Sequence, residues 1–166
     1  MKLNLVLCEP EIPANTGNIS RTCSVIGAKL HLIRPLGFSI EEKEVRRAGL
    51  DYWTALDLEV HASATDFFAK YDLARLPMFL VSTKARHVYS DMDYAAFDEV
   101  FFVFGKETRG LPEELLRANA DKCVRIPMLA DMRSLNLSNA AAIVAYEALR
   151  QTGFAGLARR NAAGGL

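Results

Sequence analysis

Short apolar runs alternate with stretches of helical periodicity along the whole chain, the order expected of an α/β architecture with a parallel sheet. Strands are predicted at 3–7, 30–33, 58–61, 78–81, 100–104 and 123–126. Helical spacing covers 16–26, where Gly27 supplies a C-terminal cap. Shorter helices are expected at 41–48, 65–71 and 112–117, the last opening with proline in its first turn. The final helix, 138–151, is apolar nearly all round between 140 and 149. Such a helix needs burial against its own sheet and against something else, for which a second copy of the chain is the economical choice. Residues 1–153 read as one domain, with no internal repeat or linker, and the Gly/Ala-rich stretch 154–166 as a flexible tail.

The 166 residues suffice for one core, and 51% hydrophobic with 24% charged residues describes an ordinary globular protein. No apolar run reaches the ~20 residues of a membrane span. The opening MKLNLVLCEP lacks the features of a signal peptide, so a cytoplasmic location is expected. Cys8, Cys23 and Cys123 have no metal-ligand spacing and read as reduced core thiols. His31, His61 and His87 are scattered along the sequence, and no metal ion is expected. Zero net charge argues against a protein that coats nucleic acid. A local basic face stays open, because Arg46, Arg47, Lys84, Arg86, Lys106, Arg109, Arg125 and Arg133 fall in or beside loops and helix ends.

Open parallel sheets bind ligands beyond the carboxyl ends of their strands. Three consecutive strands there run into STKARH, GKETRGLP and PMLADMRSLNLSN. In the second segment Gly105 and Gly110 bracket four polar residues, without the Gly-Lys-Ser/Thr ending of a phosphate loop. It is either a solvated tight turn or a backbone that approaches a ligand at Gly105, with Glu107 and Arg109 beside it. CEPEIPANTGN follows the first strand where a dinucleotide fingerprint would stand. Asn15 or Thr16 is expected to cap the first helix, and Arg21 sits near its positive end, either simply exposed or facing a bound anion. Before the last helix Ser138 suffices as the cap. Ser134 and Asn136 are then left over, alternating with Leu135 and Leu137 as though one side faced a ligand.

Three ordered segments carry a resemblance: N-x-G-x-x-x-R at 15–21, F-G-x-E-x-x-G-L at 104–111, and I-P-M followed by R-S-L-N-L-S-N-A between 126 and 140. Together they resemble the motifs of the SPOUT RNA 2′-O-methyltransferases. VLCEPEIPANTGNISR and RRAGLDYW are similar to the minimal YibK-type members, which methylate the wobble nucleotide of tRNA, a cytidine or modified uridine at position 34. Because the first strand begins at residue 2 or 3, members with an extra N-terminal RNA-binding domain are not expected. The resemblance implies a parallel-sheet SPOUT fold with a C-terminal deep trefoil knot, S-adenosylmethionine as cofactor, tRNA as substrate and a homodimer with Tyr146 in its interface. It implies a cofactor pocket of Val81, Ser82, Thr83, Gly105, Glu107, Ile126, Pro127, Met128, Ser134, Leu135 and Asn139. Arg21 is implied as the residue that activates the ribose hydroxyl, with Asn15, Glu107, Ser134 and Asn136 positioning it. A guanidinium stays protonated in proteins, so a phosphate clamp suits Arg21 better, with Glu107 or solvent left to take the proton. The rivals are a methyltransferase for another tRNA position or for rRNA, a non-catalytic RNA-binding relative, and, disfavoured by the missing phosphate loop, a flavodoxin-like enzyme.

Overall fold

The computed structural model describes residues 1–40 and 56–160, so the helix expected at 41–48, with Arg46 and Arg47, lies outside the described residues. The strands are β1 (Lys2–Cys8), β2 (Lys29–Ile33), β3 (Leu58–His61), β4 (Met78–Val81), β5 (His87–Val88), β6 (Glu99–Phe104) and β7 (Cys123–Arg125). They form one sheet in the order β3-β2-β1-β6-β4-β7-β5, and every pair is parallel. Helices α1 (Pro13–Ile26), α2 (Ala64–Lys70), α3 (Glu113–Ala118) and α4 (Leu137–Gln151) cover it.

Strand alternation explains the continuous apolar runs. Leu3, Leu5 and Leu7 of β1 and Val100, Phe102 and Phe104 of β6 point to the face covered by α1 and α4. Val6 and Cys8, with Phe101 and Val103, point to the opposite face, under Phe67 of α2 and Leu116 of α3. A sheet covered on both sides has no polar face to alternate with. At roughly 25 cal/mol per Å² of apolar surface, each fully buried Leu or Phe here contributes on the order of 2 kcal/mol.

Element ends differ from the sequence reading where the deciding contact is distant or short. Helix α1 starts at Pro13 with Ile12 as N-cap and no side-chain cap, so neither Asn15 nor Thr16 caps it. Gly27 does take the left-handed conformation at its far end, with φ of 67°. Helix α4 is capped by Asn136, whose side chain accepts from the backbone N–H groups of Ser138 and Asn139, so Ser138 is not the cap. Two-residue β5 was below the length that apolar patterning reveals. One face of α4 is buried through Ala141, Val144, Ala145, Ala148 and Leu149, while Tyr146 is 44% exposed. Beyond α4 the chain turns at Gly153, and Phe154 and Leu157 pack back on the core; 161–166 lie outside the described residues.

Strand order places a crevice at β1 and β6. From β1 the chain winds outward to β2 and β3, whereas from β6 it winds the other way, past β4 to β7. Loops leaving two adjacent strands in opposite directions open a cleft at their carboxyl ends.

Candidate active site

The loop after β1 and the loop after β6 are latched to each other across that cleft. Glu107 supplies the main bolt. Its carboxylate accepts from the backbone N–H groups of Glu11 (2.8 Å) and Ile12 (3.2 Å) and from Asn15 Nδ2 (3.0 Å). The N-terminus of α1, which has no cap of its own, is thus satisfied by an anion from a loop more than 90 residues away. The reciprocal contacts run the other way. Glu11 accepts from the Thr108 backbone N–H (3.1 Å) and hydroxyl (2.7 Å), and Lys106 pairs with Glu9 at 2.6 Å. The Thr108 hydrogen bonds hold the Glu11 carboxyl below its ordinary range. Glu9 sits at φ 51°, an unfavourable region for a residue with a side chain, and its ion pair helps to hold it there.

Asn15, buried on the first turn of α1, is the hinge of a longer chain of contacts. Its Oδ1 accepts from Asn136 Nδ2 at 2.9 Å, and Asn136 Oδ1 accepts from the Ser138 hydroxyl at 2.6 Å. Asn136 therefore has two tasks: it caps α4 and ties that cap to Asn15 and, through it, to Glu107. The crowding of polar side chains before α4 is explained by these separate tasks.

Glycine is needed at Gly105 for a reason internal to the loop, whatever approaches it from the cavity that it borders. A Cβ there would lie 2.0 Å from the Gly110 carbonyl carbon and 2.1 Å from the Leu111 nitrogen. The loop doubles back on itself through Gly110 at φ 70° and closes with a Lys106–Gly110 bridge.

Between these loops and those after β4 and β7 lies a cavity of about 600 Å³. Its apolar wall comes from Val81, Leu111, Leu116, Ile126, Leu137 and Ala140. Ser82, Thr83, Gly105, Glu107, Met128, Ser134 and Leu135 border it, as do Asn15 and Asn136. Lys84, Lys106, Arg109 and Arg133 add cations to the rim. Pro127 and Asn139 do not border it: Pro127 is exposed, and Asn139 is exposed with its backbone N–H directed at the Asn136 cap. Arg21 does not border it either: it is exposed on α1, six residues beyond Asn15 and between the buried Ser20 and Cys23. Ile12, Leu116 and Ala140 were missed by sequence reasoning. They belong to elements whose convergence on the cavity only the sheet order reveals.

The arrangement is suited to a small ligand with a flat apolar part and polar edges, within the ~300–1,000 Å³ usual for such pockets. A family model described as the SpoU rRNA Methylase family matches residues 2–146. The tRNA (cytidine(34)-2′-O)-methyltransferase of Yersinia pestis is 48% identical over 93% of this chain and 96% of its own. A solved structure described as giving structural insights into the 2-OH methylation of C/U34 on tRNA superposes with a TM-score of 0.85 at 41% identity. That match covers 92% of this chain and 97% of the other. The AdoMet-bound rRNA methyltransferase from Sinorhizobium meliloti matches with a TM-score of 0.80 and 28% identity, over 90% of this chain and 56% of its own. With a matched span that runs from β1 into α4, this chain belongs to the SpoU rRNA methylase family.

Proposed function

We propose that this protein is an S-adenosylmethionine-dependent methyltransferase acting on the ribose 2′-hydroxyl of nucleotide 34 of tRNA, a cytidine or modified uridine. The observation that carries the reading is the cavity at the carboxyl ends of the strands, bordered by the Glu107–Asn15–Asn136 network. The names of the Yersinia relative and of the C/U34 structure supply the substrate.

The donor set fits the cofactor. An apolar wall at Val81, Leu111 and Ile126 suits a flat adenine, and the hydroxyls of Ser82, Thr83 and Ser134 suit its ribose and polar edges. Bound there, S-adenosylmethionine supplies a methyl group on a positively charged sulfur, so the transfer calls for no metal. Glu107 and Asn15 keep the first turn of α1 and the loop after β6 in one fixed relation, and Asn136 holds the start of α4 to both. Fixed placement of the attacking oxygen removes an entropic part of the barrier to transfer. Lys84, Lys106, Arg109 and Arg133 on the rim provide charge for the RNA backbone without making the whole chain cationic.

Arg21 fits this scheme as a residue lent to the cavity of a second copy, where it would clamp a phosphate next to the target ribose. Its position outside its own chain's cavity favours that role. In the homodimer we propose, Tyr146 and Val25, 44% and 53% exposed on α4 and α1, would be covered. The C-terminal deep trefoil knot belongs to the same reading, as do residues 1–153 as a single catalytic domain and a cytoplasmic place of action. Among the described residues no helix is long and apolar enough to cross a membrane.

The test is methyl transfer from labelled S-adenosylmethionine by the purified protein to separate pools of tRNA and rRNA. Label confined to tRNA is expected. Label in rRNA alone, or cofactor and RNA binding without transfer, would replace this reading with one of its rivals.

A further inference from the structure

His31 and His61, 30 residues apart in sequence, meet in the fold. His31 stands opposite Glu59 in the β2–β3 register, and His61 follows Glu59 by two residues. Strand alternation therefore turns all three to the same face, beneath α2. His31 Nδ1 lies 3.1 Å from His61 Nε2, which is 3.6 Å from Glu59 Oε1. All three donor atoms fall within 4.8 Å of one another. Ligands at ~2.0–2.1 Å around a tetrahedral ion stand roughly 3.3 Å apart, close to the 3.1 Å and 3.6 Å that separate His61 Nε2 from its two neighbours.

The surroundings prepare the donors. Asn4 Nδ2 donates to Glu99 Oε1 (3.1 Å), which turns Asn4 Oδ1 toward His31, where it accepts from Nε2–H (3.1 Å). The neutral His31 ring then carries its lone pair on Nδ1, on the side of His61. An outer hydrogen bond that fixes the tautomer of a histidine ligand is a regular companion of metal sites. Phe67, Tyr71 and Phe101 pack around the His31 ring at centroid distances of 5.1–5.9 Å, and both imidazoles are buried.

We propose that His31, His61 and Glu59 bind one borderline divalent ion, with Zn²⁺ as the type case, that clamps β3 to β2 and takes no part in methyl transfer. Imidazole with a carboxylate suits this class of ion. The site lies at the β3–β2 edge of the sheet, away from the cavity bordered by the loops after β1, β4, β6 and β7.

Two lysines set its strength. Lys29 pairs with Glu59 Oε2 (2.7 Å), which also accepts from Tyr71 Oη (3.0 Å), and Lys70 pairs with Oε1 (2.6 Å). An ion must displace Lys70 from Oε1. The Lys70 side chain is 58% exposed and can swing into water, leaving Lys29 and Tyr71 to hold the other oxygen. Asp57, 3.9 Å from Lys29, and Asp66 on α2 offset part of the remaining positive charge. Competition with Lys70 makes a specific demand: removing that lysine should tighten binding.

The experiment uses the full chain, stripped with a chelator and titrated with Zn²⁺ by calorimetry, with Co²⁺ absorption as a check on coordination. One ion per chain is expected, with binding weakened at least about tenfold in His61→Gln and tightened several-fold in Lys70→Gln. Methyl transfer should be the same with and without the ion. If His61→Gln fails to fold, Lys70→Gln still decides, because loss of a structural salt bridge alone would not tighten metal binding. No binding by the folded protein, or binding unchanged in Lys70→Gln, would overturn the proposal. In that case the 3.1 Å contact is only a hydrogen bond from one imidazole to the other.

Discussion

Glu107 shows how much of one side chain's role a sequence leaves out. Beside Arg109 in a glycine-bracketed loop it looks like a group aimed at a ligand or left to take a proton. In the fold it anchors the start of α1 through three donors. Glu107→Ala leaves the Glu11 and Ile12 N–H groups and Asn15 Nδ2 without their acceptor, a loss of about 1–3 kcal/mol for charge-assisted bonds. A lower urea midpoint at unchanged slope would report it. Glu107→Gln separates positioning from proton transfer. Transfer should fall while the shape of its pH–rate profile stays that of the wild type. Disappearance of one limb of that profile would make Glu107 the proton acceptor instead.

Helix ends and strands differ in how much of them the sequence reveals. Strands β1, β4 and β6 were legible because both faces are covered and the runs are continuously apolar. Gly27 was legible because a left-handed cap is a local need. The start of α1 was not, since its acceptor comes from beyond β6. At α4 the local signal was ambiguous: Ser138 and Asn136 both suit a cap, and the contact with Asn15 decides for Asn136. The three loops of the site were legible as the polar segments that follow consecutive strands. Their closure by Asn15 and the meeting of His31 with His61 were not, because both depend on which strands are neighbours. Asn136→Ala should cost about 1 kcal/mol for the lost cap. It should also weaken cofactor affinity, since the Asn15 tie is lost with it. Calorimetry with S-adenosylmethionine that finds full affinity in a destabilised Asn136→Ala protein would confine Asn136 to capping.

For the molecule as a whole, burial and assembly make separate predictions. Burial pushes the Cys8 and Cys23 thiols up to about 12, and burial also raises Cys123. All three stay protonated at pH 8 and should resist a thiol reagent until denaturant exposes them. Rapid labelling of the native protein would show a looser core than the one described.

Assembly is tested by mixing two inactive variants, Arg21→Ala and the pocket-filling Ser134→Tyr. If each copy lends Arg21 to the other, one site of a mixed dimer gathers both defects and the second is fully wild type. Activity should then return on mixing. Verified subunit exchange without recovery would mean that Arg21 serves no partner cavity.

The central claim is methylation of one hydroxyl of one nucleotide. Unmodified tRNA incubated with the protein and S-adenosylmethionine, then digested and sequenced by mass, should carry a 2′-O-methyl group at nucleotide 34. The Arg21→Ala protein should leave that position unmethylated while still binding the cofactor. A methyl group at any other position, or on a base rather than a ribose, would contradict the account.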